Sequence, residues 1–324
     1  MPNSFRFAVI GAGRIAHKFC DAARRAGVEV AAVASKSEAR AADFARTENI
    51  PAAFGDYVSM LDTVRPDAVY IATTHNFHFE NILLCLSKKI PVLCEKPMVC
   101  TWEQAEAVFA EAKKQNTFVM EGMWARFLPQ IVQAKKWIEE GLIGHVELAT
   151  STVAFRADYD PENRLFNPNL AGGAVWDVGV YALELITFLM GEQPLEIQPM
   201  ITRTPSGVDR AASINLRFSD ALACAQTSCL ACTPNGIAIN GTEGYIWIPD
   251  ALHRTEALRY NRAEALAEHF IADFENGFVF EVEEVVRCVQ NGWLESPTIP
   301  WKDTVACAGI FDQILQTADA SESV

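Results

Sequence analysis

Three short stretches of this 324-residue chain gather residue types that do chemistry. The first is Val92-Leu93-Cys94-Glu95-Lys96-Pro97, an apolar run that stops at an acid, a lysine and a proline. Such a run reads as a buried parallel strand ending at the sheet edge where α/β proteins bind ligands, which aims the Lys96 ammonium at a crevice. Pro97 bars helix at Lys96 and offers no backbone N–H, so the chain must turn there, and a cis bond is one way to do it. Taken alone, the tripeptide reads more readily as a surface Glu-Lys turn.

The second stretch is Gly11-Ala12-Gly13-Arg14-Ile15-Ala16, a GxGxxA pattern between an apolar strand at 5–10 and a helical pattern that runs to about Arg25. In that context the glycines let backbone approach a pyrophosphate at a helix N-terminus. The strand at 28–34 then ends in Ser35-Lys36-Ser37, where NAD-binding proteins place an acid against the ribose hydroxyls. Two hydroxyls and an ammonium suit a 2′-phosphate that a carboxylate would repel, so the expected cofactor is NADP rather than NAD. Ser35 with Glu38 also fits a capping box, although Lys36 would then sit at the wrong end of the helix dipole unless an anion were near.

The third stretch holds Asp177 and Tyr181, four apart on a helix that starts near Ala174 and so on one face of it. A phenol can pass a proton and a carboxylate can hold a hydroxyl or a lysine. The plainer reading makes Asp177 a helix-dipole partner and Tyr181 a core residue. Gly179 between them costs helix stability and signals close packing or a close ligand. After a strand at 69–72, Thr73-Thr74-His75-Asn76-Phe77-His78 brings polar groups to another strand end, where His75 or His78 either meets the nicotinamide or substrate or caps the following helix.

The elements that must position these groups alternate regularly. Helices near 37–48 and 56–64, a short strand at 52–54, a helix from the Thr101-Trp102-Glu103-Gln104 capping box to about 115, and a strand at 117–123 continue the βα pattern. The expected fold class is α/β: an N-terminal doubly wound parallel (Rossmann) sheet in residues 1–123, followed by a C-terminal α+β domain in 124–324 with a large open, mostly antiparallel sheet. In that second domain the sequence predicts a helix at 130–140, a strand at 145–155, strands and turns over 195–248, and closing helices at 277–290 and 301–316.

Composition excludes several classes. A formal charge of −14, with no basic block, disfavours nucleic acid and anionic membranes as partners. Half the residues are hydrophobic, enough for a full core. Nine scattered cysteines with no zinc spacing indicate no metal site and reduced thiols in a cytoplasmic protein.

The GxGxxA turn, Glu95-Lys96-Pro97, Trp124-Ala125-Arg126-Phe127 and the run from Gly172-Gly173 through Asp177 and Gly179 to Tyr181 together resemble the Gfo/Idh/MocA oxidoreductases. The pattern is most similar to the branch of dimeric dihydrodiol dehydrogenases and NADP-dependent D-xylose dehydrogenases. The resemblance implies hydride transfer between NADP and a CH–OH carbon of a sugar or cyclic trans-dihydrodiol. It also implies a homodimer formed through the open sheets, and Lys96, Asp177 and Tyr181 as catalytic residues. Either Tyr181 or Lys96 carries the proton. Expected cofactor contacts are Gly11, Gly13, Arg14, Ile15, Ser35, Lys36, Thr73, His75, Glu95, Lys96, Trp124 and Arg126. Expected substrate contacts are His78, Trp124, Phe155, Asp177, Tyr181 and Phe278. Rival readings are a keto-sugar reductase of the anhydrofructose type, a glucose–fructose-type oxidoreductase and, outside enzymes, a dinucleotide-sensing regulator.

Overall fold

In the computed structural model, which describes residues 5–321, the chain forms two compact units. The first comprises the chain up to Trp124 together with Asn276–Val305, the second Ala125–Glu275 with the chain from Ala306 onward. The expected break after residue 123 falls one residue later. The stretch 124–324 is not one contiguous domain, because Asn276–Val305 returns to the first unit.

The first unit is built on β1 (Arg6–Ile10), α1 (Arg14–Arg25), β2 (Glu29–Ala34), α2 (Glu38–Glu48), β3 (Ala53–Phe54), α3 (Tyr57–Val64), β4 (Ala68–Ile71), α4 (His78–Ser87), β5 (Val92–Glu95), α5 (Trp102–Gln115) and β6 (Val119–Gly122). Its six strands lie parallel in the order β3-β2-β1-β4-β5-β6. Residues Phe7–Ile10 and Ala68–Ile71 are fully buried, as expected of strands covered on both faces. The order reverses between β1 and β4, which is where doubly wound sheets open a ligand crevice at their C-terminal edge.

The second unit contains α6 (Pro129–Glu139), β7 (Val146–Ala154), a π-helical turn at Val175–Gly179 and α7 (Val180–Met190). The remaining strands are β8 (Glu196–Arg203), β9 (Asp209–Arg217), β10 (Leu222–Ser228), β11 (Gly236–Gly241), β12 (Gly244–Pro249), β13 (Glu256–Asn261) and β14 (Leu266–Ile271). They form an eight-stranded sheet, β14-β13-β12-β11-β7-β10-β9-β8, antiparallel except for the β10–β7 pair. One face, with Ala149, Ser151, Val153, Ile214 and Ala225, is buried. Registers place Leu148 beside Leu222 on the other face and Met200 on that same face four residues further along β8, and all three are exposed.

Helices α8 (Phe278–Gln290) and α9 (Trp301–Ser321) close the chain. α8 buries Phe278, Val282, Val285 and Cys288 and packs against α1, with the Asn276 amide donating to Lys18 O and Asp21 Oδ2 at its entry. The returning segment also shields the β6 edge of the parallel sheet: Val119 N donates to Leu294 O (3.1 Å) and the Trp301 indole donates to Val119 O (2.9 Å). An uncovered edge strand invites pairing with another chain. That satisfaction of backbone, together with the apolar stripe of α8, explains why the late segment belongs with the first unit.

Candidate active site

At the dinucleotide end, α1 starts at Gly13 with no side-chain cap and no acid in its first turn. Its first N–H groups and the positive end of its dipole therefore suit an anion. Gly13 and Arg14 are exposed, Ile15 is half-buried, and a Cβ added at Gly13 would meet only Ala72 O, at 3.8 Å. A pyrophosphate can approach this backbone, so the residues fit the expected cofactor. At the end of β2, Ser37 rather than Ser35 caps α2, accepting from Arg40 N. Ser35 is buried and its hydroxyl accepts from Ser37 N (3.4 Å). The Lys36 ammonium stands 4.2 Å from the centroid of the Phe77 ring, just past the end of β4.

Lys96 sits in a turn held from two sides. The Lys96–Pro97 bond is cis. Pro97 O lies 3.0 Å from Nδ1 of His78, and Met98 N donates to Glu121 Oε1 (2.9 Å), while Thr304 Oγ1 donates to Glu121 Oε2 (2.9 Å). His78 is fully buried and its Nε2 lies 3.1 Å from Thr73 O. Burial brings its pKa down to about 4 against the opposing backbone hydrogen bonds, with the Lys96 charge adding to the fall. The expectation that His78 meets substrate is corrected: the ring is fully buried between the Pro97 and Thr73 carbonyls, and as a neutral imidazole it donates its single N–H to one of them. His75 is buried, its ring edge-on to His78 at 5.7 Å. Thr73, half-buried, accepts from the Asn81 amide.

Glu95, expected at the cofactor, instead faces the core. It is 5% exposed and accepts the Tyr70 hydroxyl, while the Tyr70 ring stacks on Phe19 of α1 at 3.9 Å. Successive side chains on a strand point to opposite faces, which explains how Glu95 turns inward beside Lys96. Trp124 and Phe278 stack at 5.1 Å, and since Phe278 is buried it backs the half-buried indole rather than forming open wall itself.

In the second unit, Arg126 does not open toward a cofactor. It is 1% exposed, ion-paired with equally buried Glu184, and lies over the Phe188 ring. Asp177 lies in the π-helical turn and Tyr181 in the first turn of α7. The Arg164 guanidinium donates to Asp177 Oδ1 (2.9 Å). Buried Asp209 accepts from Val175 N (2.7 Å), satisfying the start of that helix. Gly179 is small because of packing: a Cβ there would lie 3.2 Å from Thr227 Cγ2. Half-buried Phe155 packs on the cluster of Leu165, Phe166, Ala174, Val208 and Cys229.

Sequence reasoning missed Glu121, Asp209 and Arg164. An acid at the end of the apolar run Phe118-Val119-Met120-Glu121 was a usable signal for the first; nothing in the spacing marks the other two.

One more buried acid lies in the first unit. Glu281 on α8 is fully buried and neither carboxyl oxygen has a hydrogen-bond partner. Burial first, and the Glu95 charge second, hold its pKa well above the carboxylate range.

An open parallel sheet with an anion-ready helix start, joined in one chain to a second unit carrying an Asp/Tyr pair, has the make-up of a nicotinamide-dependent oxidoreductase. Residues 5–123 match the Gfo/Idh/MocA oxidoreductase family, NAD-binding Rossmann fold, and residues 131–247 match the GFO/IDH/MocA C-terminal domain. The chain belongs to the Gfo/Idh/MocA family and is an NAD(P)-dependent oxidoreductase. It is similar to trans-1,2-dihydrobenzene-1,2-diol dehydrogenases, 32% identical to that of Danio rerio with 96% of each chain covered, and 30% identical to that of Xenopus tropicalis with 96% of this chain and 97% of that one covered. Among solved structures it is similar to levoglucosan dehydrogenase in complex with NADH (TM-score 0.89, 21% identity, 98% of each chain). It is also similar to aldose-aldose oxidoreductase from Caulobacter crescentus (TM-score 0.88, 22% identity, 98% of each chain). At these identities the structural likeness establishes the fold.

The raised pKa of Glu281 sets the sign of a pH effect. Between the unfolded carboxylate pKa and the higher folded one, the native state binds the extra proton, so this group's contribution is complete below the unfolded pKa and is lost as pH rises. Glu281→Gln should therefore gain melting temperature over the parent at pH 8 and show little gain near pH 4.5. An equal gap at both pH values in thermal scans would reject a proton on Glu281.

Proposed function

We propose that this protein is an NADP-dependent oxidoreductase that moves hydride between the nicotinamide and the carbinol carbon of a sugar or cyclic trans-dihydrodiol. The observation that carries the cofactor preference is the end of β2, where Ser35-Lys36-Ser37 offers hydroxyls and an ammonium in place of an acid, with Lys36 over Phe77 at the C-terminal edge of the sheet. The names of the curated relatives support the diol class of substrate.

When bound, the cofactor supplies a hydride acceptor or donor at its nicotinamide ring. The N–H groups at Gly13, Arg14 and Ile15 would hold its pyrophosphate, and Ser35 and Lys36 a 2′-phosphate. Tyr181 takes the hydroxyl proton from the substrate. A free tyrosine, with a pKa of about 10, is a poor base at neutral pH, so an ammonium must favour its phenolate, and Lys96 has that role. Asp177 accepts a hydrogen bond from a substrate hydroxyl. The protein works as a homodimer through the open sheet face that exposes Leu148, Leu222 and Met200, because apolar surface of this kind gains by being covered.

Three measurements test this reading. Lys36→Ala should weaken NADP binding by about 10- to 150-fold, the range of a lost charge-assisted hydrogen bond, and leave NAD nearly unchanged; equal losses in titration calorimetry would sink the preference. Lys96→Met and Tyr181→Phe should each cut kcat by roughly 10²- to 10⁴-fold with cofactor affinity kept, and the double variant should be little worse than either, because groups that act as a unit are not additive. Multiplicative losses would leave the lysine as a separate proton carrier. Leu222→Arg should halve the mass seen by light scattering, whereas a parent protein already at the mass of one chain would refute the dimer.

A further inference from the structure

Arg164 lies outside every motif of the sequence, on a loop whose backbone is locked to the turn that bears Asp177. It opens a 3-10 turn, Arg164–Phe166, capped by the Asn163 side chain, which accepts from Leu165 N (3.0 Å). Gly173 N donates to Leu165 O (2.9 Å), Gly172 N to Asn167 O (3.1 Å), and Ser206 Oγ to Phe166 O (2.5 Å). The contact is so close that a Cβ on Gly172 would lie 2.6 Å from Arg164 O and 2.7 Å from Leu165 O. Leu165 and Phe166 are themselves buried in the cluster with Ala174, at the start of the same turn. From this fixed base the guanidinium donates to Asp177 Oδ1, while Asp177 N donates to Gly173 O (3.2 Å).

An exposed arginine on a free loop would lose side-chain entropy to make such a pair and gain little. Here the loop is already ordered by its backbone bonds, and Asp177 is 13% exposed, so the donor meets a carboxylate that is partly withdrawn from water.

We infer that Arg164 is the positioning residue of Asp177: it occupies one carboxylate oxygen with a charge-assisted hydrogen bond and fixes the group as an acceptor for a substrate hydroxyl. This rests on the proposal that Asp177 serves the substrate. A carboxylate so held keeps its orientation through the reaction and passes no proton. The substrates it suits carry a second hydroxyl beside the reacting carbinol, which is the vicinal pattern of sugars and dihydrodiols alike.

The test is a double-mutant cycle on kcat/KM with a diol substrate, in the full chain. Arg164→Gln should lose about 10- to 150-fold, as expected of a charge-assisted hydrogen bond. The Arg164→Gln/Asp177→Asn variant should fall within about threefold of Asp177→Asn alone, because residues in direct contact couple. Arg164→Ala should regain activity in millimolar guanidinium or ethylguanidinium, which a loop merely loosened by the substitution would not do. Independent, multiplicative losses with no rescue would overturn the inference while leaving Asp177 in its proposed role. An Asp177→Asn enzyme of near-normal kcat/KM would instead remove that role, and the inference with it.

Discussion

The structure of the first unit depends on satisfying backbone groups where parallel strands end. A strand such as β5 is buried on both faces, so when it stops, the N–H and C=O groups that follow must find partners without water. After Lys96 they do: His78 braces Pro97 O, and Glu121 receives Met98 N. Both partners are buried side chains from neighbouring elements: His78 lies between the Pro97 and Thr73 carbonyls, and Glu121 is itself held by Thr304. Lys96 thus rides on a turn with little freedom.

The second unit solves a different problem. Its sheet covers only one face, so α7 is apolar nearly all round, and the polar work is concentrated where α7 begins. A π-helical turn there sets Asp177 ahead of Tyr181, with Asp209 satisfying the first N–H and Arg164 the carboxylate. π-turns within helices recur at functional sites because they re-aim side chains at a cost that an ordinary helix avoids.

Two of the buried charged sites are handled in opposite ways. Arg126 and Glu184 meet with both side chains out of water, a pairing that specifies one arrangement more than it adds stability. Glu281 has no such partner, and burial together with the Glu95 charge pushes its pKa upward, toward the neutral acid. The family resemblance had placed Arg126 at the cofactor, whereas its guanidinium is paired inside the second unit.

What the sequence determined by itself were the features set by local chemistry. The GxGxxA turn between strand and helix, the proline after Lys96, the missing acid after β2, the capping box at Thr101 and the strands of 145–155 and 195–248 are all legible because backbone geometry and side-chain period act over a few residues. The Asp177 and Tyr181 pair was legible as spacing. Tertiary structure alone decided which way Glu95 and Arg126 face, that His78 is a brace, that Ser37 and not Ser35 caps α2, and that Asn276–Val305 belongs with the first unit. Those outcomes depend on which distant group satisfies a buried donor, acceptor or charge. Arg164 and Asp177 are 13 residues apart, and Glu121 and Thr304 are 183 apart. No local period encodes such a meeting, because it is the packing of whole elements that brings the partners within hydrogen-bond reach.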